Sequence, residues 1–140
     1  MAVKKCIKVD DNQDSSIRIY IDFDIISKIL KEVHSKKARS KKFKLIVGLI
    51  YRNGTNRAIY EKYRDYPGTS VFKLTKGNEN IRIYCKVEEK TDSKTNEPFL
   101  AIVLSEFYKK QTQGLSKTII KKLESIQKRT YEYHEKAIPN

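Results

Sequence analysis

Arginine, lysine and tyrosine are the residue types of this chain whose number and spacing could do chemistry. Arg82, Tyr84 and Lys86 alternate with Ile81, Ile83, Cys85 and Val87. In an extended strand such a run puts the three polar side chains on one face and the apolar ones on the other. Lys109 and Lys110 close the next apolar run, Phe99 to Tyr108, and Tyr131, Tyr133 and His134 cluster near the end of the sequence. The stretch Lys36-Lys37-Ala38-Arg39-Ser40-Lys41-Lys42 is almost entirely basic. Guanidinium forks and ammonium groups bind phosphate oxygens, and aromatic rings stack on unpaired bases. The 30 Lys and Arg against 17 Asp and Glu leave a formal net charge of +13, a field that draws in polyanions without itself choosing between DNA, RNA, the ribosome, a membrane surface or an acidic protein.

Other chemistries are poorly served. Zinc sites use about four ligands at short spacing, whereas Cys6 and Cys85 stand far apart and far from His34 and His134. No metal or cofactor is expected, and the two cysteines read as small buried thiols of a reducing cytoplasm. No apolar run approaches the ~20 residues that span a bilayer, and Met1-Ala2-Val3-Lys4-Lys5 leads into charge rather than into a signal-peptide core. A cytoplasmic protein without membrane contact is expected. Cleaving RNA without metal requires an activated 2′-hydroxyl, a stabilised phosphorane and a protonated leaving oxygen. Arginine and lysine could stabilise the phosphate and Tyr, His or a perturbed Lys could move protons, but with no paired histidines a two-histidine mechanism is poorly supported.

The length of 140 residues suits one domain, 1–140, with 1–16 as an additional strand and turn. Ile17 to Ile21 alternates as a half-buried strand. Asp22 or Asp24 can cap a helix carrying Ile25, Ile26, Ile29, Leu30 and Val33, and a second helix through Phe43, Ile46, Val47 and Ile50 ends near Asn53-Gly54. These form a helical hairpin around the basic link. Three antiparallel strands follow, over Ser70–Thr75, Ile81–Val87 and Phe99–Tyr108, the last apolar enough to be covered on both faces. Ser116 caps a final helix, in which Ile119, Leu123, Ile126, Thr130 and Tyr133 share a stripe. The expected fold is α+β, a small twisted antiparallel sheet packed by an N-terminal helical hairpin and a C-terminal helix.

Phe72-Lys73-Leu74, Asn80-Ile81-Arg82-Ile83-Tyr84, Ala101-Ile102-Val103-Leu104 and Phe107-Tyr108-Lys109-Lys110-Gln111-Thr112-Gln113, followed by a long helix, resemble in order and spacing the RelE/HigB superfamily of toxins, nearest its phage-type, HigB-like branch. The resemblance implies the RelE-like form of that fold and a type II toxin. Such a toxin is a metal-independent endoribonuclease that cleaves ribosome-bound mRNA and is held by a cognate antitoxin. Carried onto this chain, it makes Arg82 the phosphate clamp, with Lys109 and Lys110 beside the RNA and Tyr131 or His134 moving protons. Lys73-Leu74-Thr75 stands where the family often has Glu-Leu-Arg, so Lys73 and Lys76 would substitute for the missing arginine. Tyr84 and Lys86 would contact RNA from the Arg82 face, and Lys37, Arg39, Lys41 and Lys42 of the link would grip ribosomal RNA. Solvated lysine faces are the plainer account of several of these. Two other functions fit the same residues: a non-catalytic basic RNA- or ribosome-binding module, and a toxin of related fold directed at gyrase.

Overall fold

The computed structural model describes residues 3–9, 16–28, 60–76, 79–109 and 117–134. Within them the chain forms strands β1 (Lys4–Lys8), β2 (Ile17–Asp22), β3 (Tyr60–Lys62), β4 (Thr69–Lys76), β5 (Glu79–Thr91) and β6 (Pro98–Lys109), helix α1 (Lys117–Lys128) and strand β7 (Tyr131–His134). A 3-10 turn, Phe23–Ile25, follows β2, with the Asp22 carboxylate accepting from the Asp24 amide at 2.8 Å.

All seven strands join one sheet in the order β3-β4-β5-β6-β2-β1-β7. β3 to β6 form an antiparallel meander, as do β1 and β2, but β2 lies parallel to β6 and β1 parallel to β7. A small, wholly antiparallel sheet is therefore not the architecture. The sheet is mixed and large, and the final helix is shorter than its stripe implies. The Arg129 amide bonds the Ile126 carbonyl at 3.1 Å, and the chain then runs out as β7. Tyr131 and Tyr133 are strand residues, not the end of a helix. The expected N-terminal hairpin does not define the fold. Its residues beyond Lys28 lie outside those described; Phe23–Ile25 forms a 3-10 turn and residues 26–28 are α-helical.

Alternation explains the two faces. One carries Ile19, Ile21, Phe72, Ile81, Ile83, Ile102 and Leu104, each essentially without solvent contact; burying such a side chain is worth about 1.5–3 kcal/mol. The other carries Cys6, Tyr20, Phe99, Ala101, Val103 and Tyr131 at one end and Val71 and Tyr84 at the other. There α1 seats Ile119, Leu123 and Ile126 against Val71 and Tyr84. Gly68, at φ +82°, makes the turn into β4 and hands its carbonyl to the Val87 amide at 2.8 Å. Between Tyr84 and Cys85 the β5–β6 register slips, because Tyr84 pairs with Glu106 and Cys85 with Leu104. Ser105 is the extra residue of this bulge, which sharpens the local twist.

The second face is concave. Tyr133 on β7 donates to Glu88 on β5 at 2.5 Å, although three strands separate β7 from β5. In a flat sheet that gap would approach ~19 Å at ~4.8 Å per strand. The sheet therefore curls until its far edge meets its middle, and this curl builds the site.

Candidate nucleic-acid interface

At the Tyr133 end of the concave face lies a cavity of about 240 Å³. Its floor comes from neighbouring strands, Lys8 of β1, Arg18 of β2 and Phe99 of β6, none more than 8% exposed. Lys90 of β5 and Tyr133 of β7 form its walls, and Thr91 at the end of β5 with Ser93 and Lys94 of the β5–β6 turn forms an exposed rim beside the half-buried Asp92. Each ring carries a cation. The Arg18 guanidinium lies 4.1 Å from the centre of Phe99, and Lys90 Nζ lies 4.8 Å from that of Tyr133, within cation–π range. Strand alternation aims these side chains together, because Lys90 pairs directly with Phe99 and Arg18 pairs with Ala101, the next residue along that face of β6.

Among the described residues, a single carboxylate lines the cavity. Asp92 accepts from Arg18 at 2.7 Å and from the Lys94 and Thr95 amides at 2.7 and 3.1 Å. Those bonds lower its carboxyl to about 2, Arg18 contributing most. Asp92 therefore fixes the turn and orients the guanidinium. Asn96, at φ +58°, takes the left-handed position of the same turn. Burial, reinforced by the bond to Glu88, pushes the Tyr133 phenol up, so its ring stays neutral. Among the described residues, Lys8, Arg18, Lys90 and Lys94 stand with Asp92 around the pocket, Glu88 lies 3.7 Å from Lys90, and one aromatic ring, Phe99, lies in the floor and another, Tyr133, in the wall. Such a pocket can hold a phosphate and stack a base.

The residues singled out from sequence fall in several places. Arg82 is half-buried on the concave face, where it pairs across the sheet with Lys73 on β4 and Tyr108 on β6. Its NH1 donates to its neighbour's carbonyl, Ile81 O, at 3.1 Å, and Lys73 pairs with Glu61 at 3.4 Å. Lys109 ends β6 opposite Ile81, and Lys76 ends β4 opposite Glu79. Lys37, Arg39, Lys41, Lys42 and Lys110 lie outside the described residues.

Tyr131 and His134 do not join Arg82. Arg82 sits six residues along β5 from Glu88, which meets Tyr133, a span of ~20 Å at ~3.3 Å per residue. Tyr131 is 5% exposed, and its hydroxyl donates to the fully buried Asp22 at 2.6 Å and lies 3.0 Å from Ser105 Oγ. Lys4, 3.2 Å from Asp22, balances that carboxylate. Tyr131 is thus a core anchor rather than a proton shuttle on a frayed helix. His134 lies in β7 beside Glu132 at 3.2 Å, its ring 5.5 Å from Phe23.

Tyr84 and Lys86, expected on an open face with Arg82, are both buried. Tyr84 is 1% exposed beneath α1, its ring 6.4 Å from Tyr63, and burial pushes its phenol up to about 12 against the pull of Arg82. Lys86 caps α1, donating to the carbonyls of Ile126 at 3.4 Å, Gln127 at 3.1 Å and Arg129. A cation at a helix C-terminus satisfies carbonyls that the helix leaves open.

Sequence reasoning missed the cavity. Lys8, Arg18 and Lys90 are the polar members of alternating runs, which locally look like solvated positions. The available signal was Arg18 between Ile17 and Ile19, but its value depends on β2 lying beside β6. Cys6 and Cys85 are buried thiols, and among the described residues no cluster of three or more His, Cys, Asp or Glu is arranged to hold a metal. No described helix is long and apolar enough to cross a membrane. No family model, curated protein or solved structure matches the chain.

Proposed function

We propose that this protein binds single-stranded RNA through the basic, aromatic cavity of its concave face. The observation that carries the reading is the convergence of Lys8, Arg18 and Lys90 on Phe99 and Tyr133 in one pocket. Cations that track a backbone beside rings that stack bases are the recurring chemistry of single-strand binding. Placing both in a cleft with a buried floor favours an unpaired strand over a duplex, whose bases are already stacked.

A second reading is favoured by the Lys73, Arg82 and Tyr108 row across β4, β5 and β6. If ribosome-bound mRNA is cleaved by this chain as a toxin under antitoxin control, these three residues form the compact set. Lysine and arginine would hold the scissile phosphate and the tyrosine hydroxyl would move a proton.

One experiment separates the two. A labelled RNA oligonucleotide is titrated with the protein by fluorescence anisotropy and then run on a denaturing gel. The expected result is saturable binding with the RNA intact, weakened by the paired change Lys90→Ala and Lys94→Ala. Shortened RNA whose appearance depends on Arg82 would favour cleavage, and induced expression with and without Arg82→Ala would then show growth arrest relieved by the substitution. No binding to RNA at moderate salt would remove the first reading.

A further inference from the structure

We infer that β7 is a hinged strap: Tyr131 holds its near end in the core, and its far half, residues 132–134, swings away from β5 when Tyr133 releases Glu88. The two ends are fastened unequally. Tyr131 belongs to the core cluster with Cys6, Tyr20 and Val103, and its hydroxyl reaches Asp22, which has no solvent contact. Tyr133 only packs against that cluster, edge-on to Tyr20 with ring centres 4.8 Å apart. Its hydroxyl reaches across the concave face to Glu88, whose side chain is 27% exposed. Among the described strands, β7 pairs with β1 alone.

Opening at Tyr133 costs less than opening at Tyr131 because of what each acceptor keeps. Glu88 lies 3.6 Å from Lys86 Nζ and 3.7 Å from Lys90 Nζ. Being also partly solvated, it is not left as an unsatisfied buried charge when the tyrosine departs. Asp22 keeps Lys4 at 3.2 Å, but it is sealed from solvent, and a buried acceptor stripped of a donor bears the full desolvation penalty. Short segments open below the free energy of global unfolding where few buried contacts hold them. Here such opening has two consequences. Tyr133 forms one wall of the cavity, so that wall moves with the strap, whatever the cavity binds. The strap also covers a thiol, since Cys6 pairs with Tyr133 in the β1–β7 register and is fully buried. Cys85 is equally buried, in the cluster on the other face.

The two thiols report the motion. The full chain is labelled with a thiol reagent at low concentration, where opening is a pre-equilibrium, and the rate at each cysteine is read by peptide mass spectrometry. Strap opening exposes little surface, so the Cys6 rate should exceed that of Cys85 and depend only weakly on urea below the unfolding midpoint. Tyr133→Phe weakens the closed strap and should speed Cys6 labelling roughly tenfold, the loss of one hydrogen bond to a charged group. Tyr131→Phe should leave the Cys6 rate unchanged, because the hinge bond is kept whether the strap is open or closed. A Cys6 rate that follows Cys85 in size and urea dependence means that β7 leaves only on global unfolding, and overturns the inference. So does a Cys6 rate that Tyr133→Phe does not change. Equal acceleration by the two tyrosine changes would release the whole strand at once and remove the hinge.

Discussion

One hydroxyl at position 131 holds the concave face together. Tyr131 bonds a carboxylate, Asp22, that has no solvent contact and that Lys4 also pairs. Tyr131→Phe keeps the ring and removes the donor. It is expected to lower unfolding free energy by about 1–3 kcal/mol, the cost of leaving a buried acceptor short of a partner, as read by urea denaturation. Lys86 offers a sharper contrast between architecture and binding. Lys86→Met should destabilise the fold by a similar ~1–3 kcal/mol and lose amide-exchange protection in the last turn of α1, with RNA affinity unchanged. A large affinity loss with stability intact would instead put Lys86 in contact with RNA. Its sequence neighbours suggested the opposite role, because alternation puts Lys86 on the Arg82 face but cannot say that a helix end covers that position.

Among the elements, the β5–β6 turn and α1 each set an expectation. The Asp92 carboxyl is held below its ordinary 3.8, at about 2. For a depressed acid the stabilisation is complete above the ordinary value and disappears as pH falls through the lowered one. The Lys94 and Thr95 amide resonances should therefore hold steady down to about pH 4 and move with an apparent pKa near 2; a midpoint near the ordinary value would refute the Arg18 contact in solution. In α1, Leu123→Ala removes a fully buried side chain and is expected to cost about 2–5 kcal/mol in denaturant titration.

Strands with period-two runs were legible from the residues alone: Ile17 to Ile21, Ile81 to Val87 and the apolar stretch before Tyr108. β7 was not. Thr130 and Tyr133 continue the spacing of Ile119, Leu123 and Ile126, so the pattern extends a helix that the backbone in fact ends. Tyr60–Lys62 is too short to declare a period, and a parallel pair such as β2 and β6 leaves no local trace. The basic face around Arg82 was visible, but the better-formed cavity depends on long-range pairing and was not.

For the molecule as a whole, charge and binding must be linked. If the cavity's converging cations neutralise one phosphate of a single strand, log affinity should fall against log salt with a slope of about −0.7. A slope near zero would show that the cations do not meet phosphate. A much steeper one would mean that basic residues beyond the cavity also engage it.

β1 and β7 pair in parallel, Lys4 with Tyr131 and Ile7 with His134, which has a consequence in time. On a chain made from its N-terminus, β1 is the first of these strands to appear and β7 the last. Pairings between such distant residues make folding slow, and meanwhile β1 waits with one edge open, a template for misassembly with other nascent chains. Its sequence, Lys4-Lys5-Cys6-Ile7-Lys8, interrupts that edge with like charges, the usual guard on an unpaired strand. Lys5→Val, at an exposed position, should leave the folded protein's stability nearly unchanged and lower the soluble yield on refolding. Part of the positive charge thus protects the chain before its sheet is complete.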